Sequence, residues 1–275
     1  MNGVTLTQRP NPYVSNNSPY IDEGTSNYNA LNVSLVKRTS YGLAFKVNYS
    51  WSRVMDLNSA ALAVTGENEP TDVFSPYDLF LNRGPAAYSL RHQFNANFSY
   101  ALPFGTGQRF GSGTHGWMNQ LIGGWQWNGI FTSQSGFPIT PVIGSNNSGT
   151  GDTNVSDVPN WNTNFHGQVI SGTVDHWFNP QAFVLPTVGT FGNVSRGSLT
   201  GPGLVNVDTS LFKRFRVNER VNVQLRVEAF NILNHANFFY PNTIVFQGSN
   251  YSQTAGQITA AATSRQLQLA LKVIF

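Results

Sequence analysis

The sequence predicts an all-β protein, an antiparallel transmembrane β-barrel segment of about seven long strands in a curved, open sheet. Three observations predict it. Charged residues make up only 11% of the chain while hydrophobic residues reach just 40%, the remainder being rich in Asn, Ser, Thr, Gly and Gln. Apolar and polar residues alternate with period two in segments of about 9 to 13 residues, the length a tilted strand needs to cross a bilayer. The links between those segments alternate between short and long.

The composition excludes several classes. A water-facing surface normally draws on many Lys, Arg, Asp and Glu, and about twice this charge content is usual. A lipid-facing surface avoids them, because a charge at the bilayer centre costs a few kcal/mol. The net charge of +3 is scattered, and the one tight basic cluster, Lys213, Arg214 and Arg216, sits beside a turn. No basic face suited to nucleic acid is expected. The chain has no cysteine, so it holds no disulfide framework and no thiolate metal site. No stretch approaches the roughly 18 apolar residues of a transmembrane helix. The first residues show no basic start followed by an apolar core, so Met1 is expected not to be the true start of an exported protein.

The strands follow in order. Leu31, Val33 and Leu35 oppose Asn32 and Ser34. Leu43, Phe45, Val47, Tyr49 and Trp51 oppose Lys46, Asn48, Ser50 and Ser52. Leu90, Phe94, Ala96, Phe98 and Tyr100 oppose Arg91, Gln93, Asn95, Asn97 and Ser99. Trp125, Trp127 and Phe131 oppose Gln126, Asn128 and Thr132. Val205, Val207, Thr209 and Leu211 oppose Asn206, Asp208 and Ser210. Val221, Val223, Leu225, Val227 and Ala229 oppose Asn222, Gln224, Arg226 and Glu228. Last, Leu267, Leu269, Leu271, Val273 and Phe275 oppose Gln266, Gln268, Ala270 and Lys272, with Ile274 the exception. His92 and Lys213 share parity with the apolar set. Both stand near strand ends, where a long side chain can reach an interface.

Short links fall near Ser40-Tyr41 and Val217–Arg220, and a medium one runs from Pro103 to Ile122. The long ones, 55–88, 136–203 and 234–263, are rich in Asn, Gly, Ser and Pro, and residues 1–27 read as a preceding loop. Short turns on one rim and long loops on the other describe a barrel of the bacterial outer membrane, with the long loops extracellular. Structureless links of this length would count against a compact soluble domain. Tyr100, Trp125, Trp127 and Phe275 then fall near the periplasmic interface, and Tyr49 and Trp51 near the outer one, as two aromatic girdles.

The segments Ser26–Arg38, Tyr41–Asp56, Asp78–Gly105 and Val223–Phe238 resemble the barrel of Oar-like TonB-dependent receptors, which carry a carboxypeptidase-regulatory-like domain at the N-terminus. Trp177–Phe183 (WFNPQAF) and Phe191–Asn206 (FGNVSRGSLTGPGLVN) resemble loop sequences of that group. The terminal RQLQLALKVIF, with Leu267, Leu269, Leu271, Val273 and Phe275, resembles the C-terminal signal read by the barrel-assembly machinery. The resemblance implies a barrel of about 22 strands, of which this chain supplies roughly the last third, together with an N-terminal plug and a TonB-interacting segment. It further implies energised uptake of a bulky substrate through the TonB system.

The candidate site residues are of two kinds. Lys46, Arg91, Asp208, Arg226, Glu228 and Lys272 are the expected lumen-facing charges, with Asp208 and Arg226 diagonal across a strand pair. Cross-strand ion pairing is the stronger reading for them and substrate contact the weaker. Trp161, Trp177 and Phe183 are candidate ligand contacts in the longest loop, against the stronger alternative that they pack the loops together. The loop Ser145–Asn164, with Asp152 and Asp157, offers oxygen ligands for a hard cation, but its spacing matches no EF-hand. The five histidines form neither a zinc spacing nor a nucleophile–base pattern. Gly111-Ser112-Gly113 reads as a flexible link. No metal, no cofactor and no catalysis are expected; the expected partners are outer-membrane lipid, the plug and further strands, and a substrate of unknown identity. The rival readings are a passive porin-like or structural barrel, and a soluble secreted carbohydrate-binding β-sandwich, which would gather its Trp and Phe residues in one cleft rather than two belts. Seven strands cannot close a bacterial barrel, so the segment is expected to be unstable alone.

Overall fold

The computed structural model describes residues 23–59, 78–150, 157–218 and 221–275. The reading of 1–27 as a loop, the middle of the 55–88 link and Asp152 therefore fall largely or wholly outside the described residues.

Seven long strands form an antiparallel meander: β1 (Asn27–Ser40), β2 (Leu43–Asp56), β3 (His92–Ala101), β4 (Trp125–Gln134), β5 (Leu204–Arg216), β6 (Asn222–Phe230) and β7 (Gln266–Ile274). Each pairs with its neighbour in sequence, so their spatial order is their chain order. The sheet is open: among the described residues β1 pairs only with β2, and β7 only with β6.

The register carries the apolar positions of every strand onto one face, because residues directly opposite in an antiparallel pair point the same way. Leu35 faces Val47, Val47 faces Ala96, and Ala96 faces Phe131. Phe131 faces Val207, and further along the same face Leu211 meets Val227 and Val227 meets Leu269. A slip of one residue at any pair would send a whole strand's apolar set to the wrong side. The β1–β2 pair shifts register between Lys37 and Ser40, beside its turn, after the apolar set from Leu31 to Leu35 has been placed.

The apolar face is not a buried core. Leu267, Leu269 and Leu271 are 73%, 75% and 68% exposed, and Leu31, Val33 and Leu35 on the opposite edge are exposed too. A continuous greasy surface of this kind is what a strand wall turns to hydrocarbon. Aromatic pairs stiffen it. Phe98 stands edge-on to Trp127 at 4.8 Å between centroids, and Phe94 edge-on to Phe131 at 5.6 Å, each pair adding about 0.5–1.5 kcal/mol beyond its burial. Gly129, opposite Phe98, makes room for that ring: a Cβ there would lie 2.4 Å from it. The polar groups on this face are satisfied locally. The Trp127 Nε1–H donates to the Thr209 hydroxyl at 2.7 Å, and that hydroxyl donates to the Asn128 carbonyl at 2.9 Å.

One rim is made of tight connections. Tyr41 and Gly42 form a two-residue turn between β1 and β2 with φ of 52° and 79°, the positive pair that matches the twist of a hairpin. Between β5 and β6, the Val217 N–H donates to the Val221 carbonyl and the Val221 N–H to the Asn218 side chain. The link from β3 to β4 differs from the flexible segment expected of it. It contains a short helix, α1 (Gly116–Ile122), and Asn119 Oδ1 accepts from the Thr106 N–H at 2.7 Å, holding the glycine-rich stretch in place.

The other rim departs most from expectation. The described parts of the long connections are not structureless. Residues drawn from 139–150, 157–199 and 245–255 build a hydrophobic core of their own around Phe178 and Phe183, both fully buried, with Ile139, Ile143, Val194 and Val245. Short strand pairs brace it: Pro138–Ile139 with Leu199–Thr200, and Asn160–Trp161 with Phe183–Val184. The described residues therefore carry two apolar systems, one spread over a sheet face and one gathered in the loops. Alternating strands cannot bury both faces in lipid. The loops stand in water, so they must collapse on themselves to hide their own apolar residues.

Candidate functional site

The sheet's second face is polar, and its side chains join across strands. Ser34 Oγ donates to Asn48 Oδ1 at 2.9 Å, Gln126 Nε2 to Ser99 Oγ at 2.9 Å, and Asn128 Nδ2 to Ser210 Oγ at 3.4 Å. Amides and hydroxyls dominate, with charges added sparsely. Such a wall suits a hydrated interior.

The six expected lumen charges lie on or beside this face but do not form the ion-pair lattice expected of them. Lys46 stands opposite Asn97, and Lys272 opposite Gln224, both side chains exposed. Glu228 faces Ser210 on one side and Gln268 on the other. Arg91 precedes β3 by one residue; its backbone N–H donates to Ser135 Oγ, and it is exposed.

Asp208 and Arg226 are not diagonal neighbours. Arg226 pairs with Phe212, its guanidinium 4.8 Å from that ring's centre, and its Nε donates to Gln224 Oε1 at 2.9 Å. Asp208 lies four residues before Phe212, beyond a diagonal contact. Its Oδ1 accepts from Asn206 Nδ2 at 2.9 Å and from the Asn231 backbone N–H at 2.8 Å. The carboxylate thus fixes the exit of β6 rather than pairing with a cation. Asn231 extends that function: its side chain binds the carbonyls of His235 and Thr263 and accepts from the His235 N–H.

The two residues of mismatched parity resolve differently. His92 sits at the long-loop end of β3, its Nδ1 2.9 Å from the Tyr49 hydroxyl, with the two rings stacked. Lys213 does not reach outward to an interface. It is 1% exposed, lies over the rings of Trp125 and Phe215, and donates from Nζ to the Gly123 carbonyl.

The three loop aromatics are held by protein. Phe183 is fully enclosed, with Trp161 tilted against it at 5.1 Å and Phe178 edge-on at 5.9 Å, so its ring has no face left for a ligand. Trp177 packs on the same core, and its Nε1–H donates to the Thr200 carbonyl at 2.8 Å. Asp157, one of the candidate oxygen ligands, is buried and accepts from the Ser148 N–H and hydroxyl.

The structure also brings together a group the sequence did not single out. Arg196, 3% exposed, donates to the carbonyls of Asn82 (2.8 Å), Asp56 (2.7 Å) and Gly84 (3.2 Å), to Ser59 Oγ (3.2 Å), and to the Asp56 carboxylate. It ties the 136–203 loop to the link that follows β2. A signal was present: Arg196 is the single Lys or Arg between Arg109 and Lys213, in a loop whose other charges are Asp152, Asp157 and Asp175, and a lone cation there is one that needs a partner.

An antiparallel wall with one hydrocarbon-compatible face, one hydrated face, tight turns on one rim and folded loops on the other defines a β-barrel protein of the outer membrane of Gram-negative bacteria. A family model described as an outer membrane beta barrel domain matches residues 2–268, and the chain belongs to that family. No curated protein and no solved structure gives a match.

Proposed function

We infer that this chain is the C-terminal barrel wall of an Oar-like TonB-dependent receptor, a transporter that takes up a bulky substrate. The observation that carries the reading is the pair of free sheet edges. Among the described residues, the outer sides of β1 and β7 have no partner strand, and each unsatisfied backbone group in hydrocarbon costs several kcal/mol. A wall of this kind needs more strands to close, and a large barrel needs something to fill it.

In that assembly the long-loop rim faces the medium and the loop core forms a folded cap over the lumen. The polar face of β1–β7 lines the passage and meets the plug. Leu267, Leu269, Leu271, Val273 and the 93% exposed Phe275 supply an accessible apolar strand end for the barrel-assembly machinery.

The coding sequence preceding Met1 tests the reading. A plug domain and a TonB-interacting segment are expected there. Conductance of the whole protein in a planar bilayer gives the second measurement. A plugged transporter should hold its channel closed, and steady open conductance would select a passive pore instead.

A further inference from the structure

We propose that α1 is an interfacial anchor, lying in the periplasmic leaflet of the outer membrane with Trp117, Met118 and Leu121 among the phospholipids.

The helix shows an unusual face. Trp117, Met118 and Leu121 are 74%, 46% and 59% exposed, although they lie together on one side of the helix at i, i+1 and i+4. Ile122, by contrast, turns inward, where its side chain approaches Gly111. An exposed cluster of Trp, Met and Leu on a seven-residue helix is costly in water and favourable at a headgroup boundary.

Two bonds fix which side of the wall the helix occupies. Trp125 and Lys213 both belong to the lipid-facing parity and stand opposite each other in β4 and β5. The Trp125 Nε1–H donates to the Leu121 carbonyl at 3.1 Å, and Lys213 Nζ donates to the Gly123 carbonyl. The end of α1 is therefore clamped from the hydrocarbon side of the sheet. The helix stands at the short-turn rim, which is the periplasmic one.

The charge of that rim agrees. No Asp or Glu stands between Asp78 and Asp152 in the sequence. At that rim Lys37 continues the lipid-facing parity of β1, and Arg109 stands in the link that carries the helix. A cation beside an apolar helix face complements the phosphates of a phospholipid leaflet.

This chain has no cysteine, so within it one introduced thiol is the only site a label can take, and any cysteine elsewhere in the whole protein is first replaced by serine. Trp117→Cys and Leu121→Cys are spin-labelled in the whole protein in outer membranes, and collision with oxygen is compared with collision with a water-soluble nickel chelate. Leu269→Cys gives the lipid reference. Gly113→Cys, where an added Cβ meets nothing, gives the water reference. Both helix positions are expected to match Leu269, with oxygen collisions several-fold above those at Gly113. Values matching Gly113 at either position, or shielding from both reagents by a protein partner, would overturn the anchor. A label-free measurement guards against disturbance by the thiol. The fluorescence lost in Trp117→Phe should be the part quenched by phospholipids brominated near the headgroup, and an unquenched Trp117 component would equally overturn it.

Discussion

The guanidinium of Arg196 closes on the carboxylate of Asp56 across 140 residues of sequence, both side chains almost fully buried. Asp56 is the last residue of β2, where the strand leaves the membrane wall, and Arg196 belongs to the loop that leads into β5. With the carbonyls of Asn82 and Gly84 also engaged, one side chain holds two long connections to each other and to the top of the sheet.

Removing one partner of that pair should loosen the cap without unmaking the wall. Arg196→Met leaves Asp56 buried without its cation, a change of about 3–5 kcal/mol. Proteolysis of the loops in intact outer membranes should accelerate strongly, while the folded band in unheated gel electrophoresis persists. Adding Asp56→Ala to the same protein should recover part of the loss, because the stranded charge is then gone. Protease resistance equal to the parent in Arg196→Met would show that other contacts hold the loops.

The loop core makes a parallel prediction for the aromatic residues. Phe183→Ala removes a fully buried ring against Phe178 and Trp161 and should destabilise the cap by about 3–5 kcal/mol. Thermal unfolding of the loops, followed by near-ultraviolet dichroism, should shift downward. A variant that keeps the parental transition yet loses substrate binding would place Phe183 in a ligand site and contradict its packing role.

Paired substitutions on neighbouring residues of β7 test the two faces of the wall. Leu269→Arg puts a charge on the hydrocarbon side and should cost about 2–4 kcal/mol if the position is near the midplane. Gln268→Arg, one residue away on the polar face, should change stability little. Equal effects of the two in urea unfolding from lipid vesicles would remove the assignment of lipid and lumen faces.

Gly42→Ala should impair assembly of the β1–β2 hairpin. Gly42 has φ +79°, and a Cβ there would sit 2.6 Å from the Ala101 carbonyl oxygen, whose strand also donates an N–H to the Gly42 carbonyl. Strain of about 1–3 kcal/mol is expected from the backbone alone, with the clash in addition. The yield of folded protein in the outer membrane is the measurement, and an unchanged yield would mean the turn can reshape.

The sequence by itself determined the wall. Seven period-two segments, from Leu31–Leu35 to Leu267–Phe275, state which side chains meet lipid and which meet water. Alternation also excludes every one-residue slip, since Val47, Ala96, Phe131 and Val207 must share one surface, while slips of two residues keep the faces and are decided by the turns. Strand pairing between chain neighbours is local, so its signal survives in a linear reading. Trp125, Trp127 and Tyr49 were legible as members of the apolar face for the same reason. The seven residues of α1 were not, because that is too few for a helical period to stand out among glycines.

Tertiary structure alone decided the rest. The loop core draws Ile139, Phe183 and Val245 from far apart in the chain with no period linking them, and Tyr251 reaches the Phe183 carbonyl across 68 residues. Asp208 and Arg226 look like diagonal partners only if the turn between their strands is miscounted. The actual register seats Arg226 on Phe212 and leaves Asp208 to cap Asn231. A strand's faces are set by its own alternation, so they can be read residue by residue. Contacts between loops depend on where distant segments meet in space, and chain order does not encode that locally.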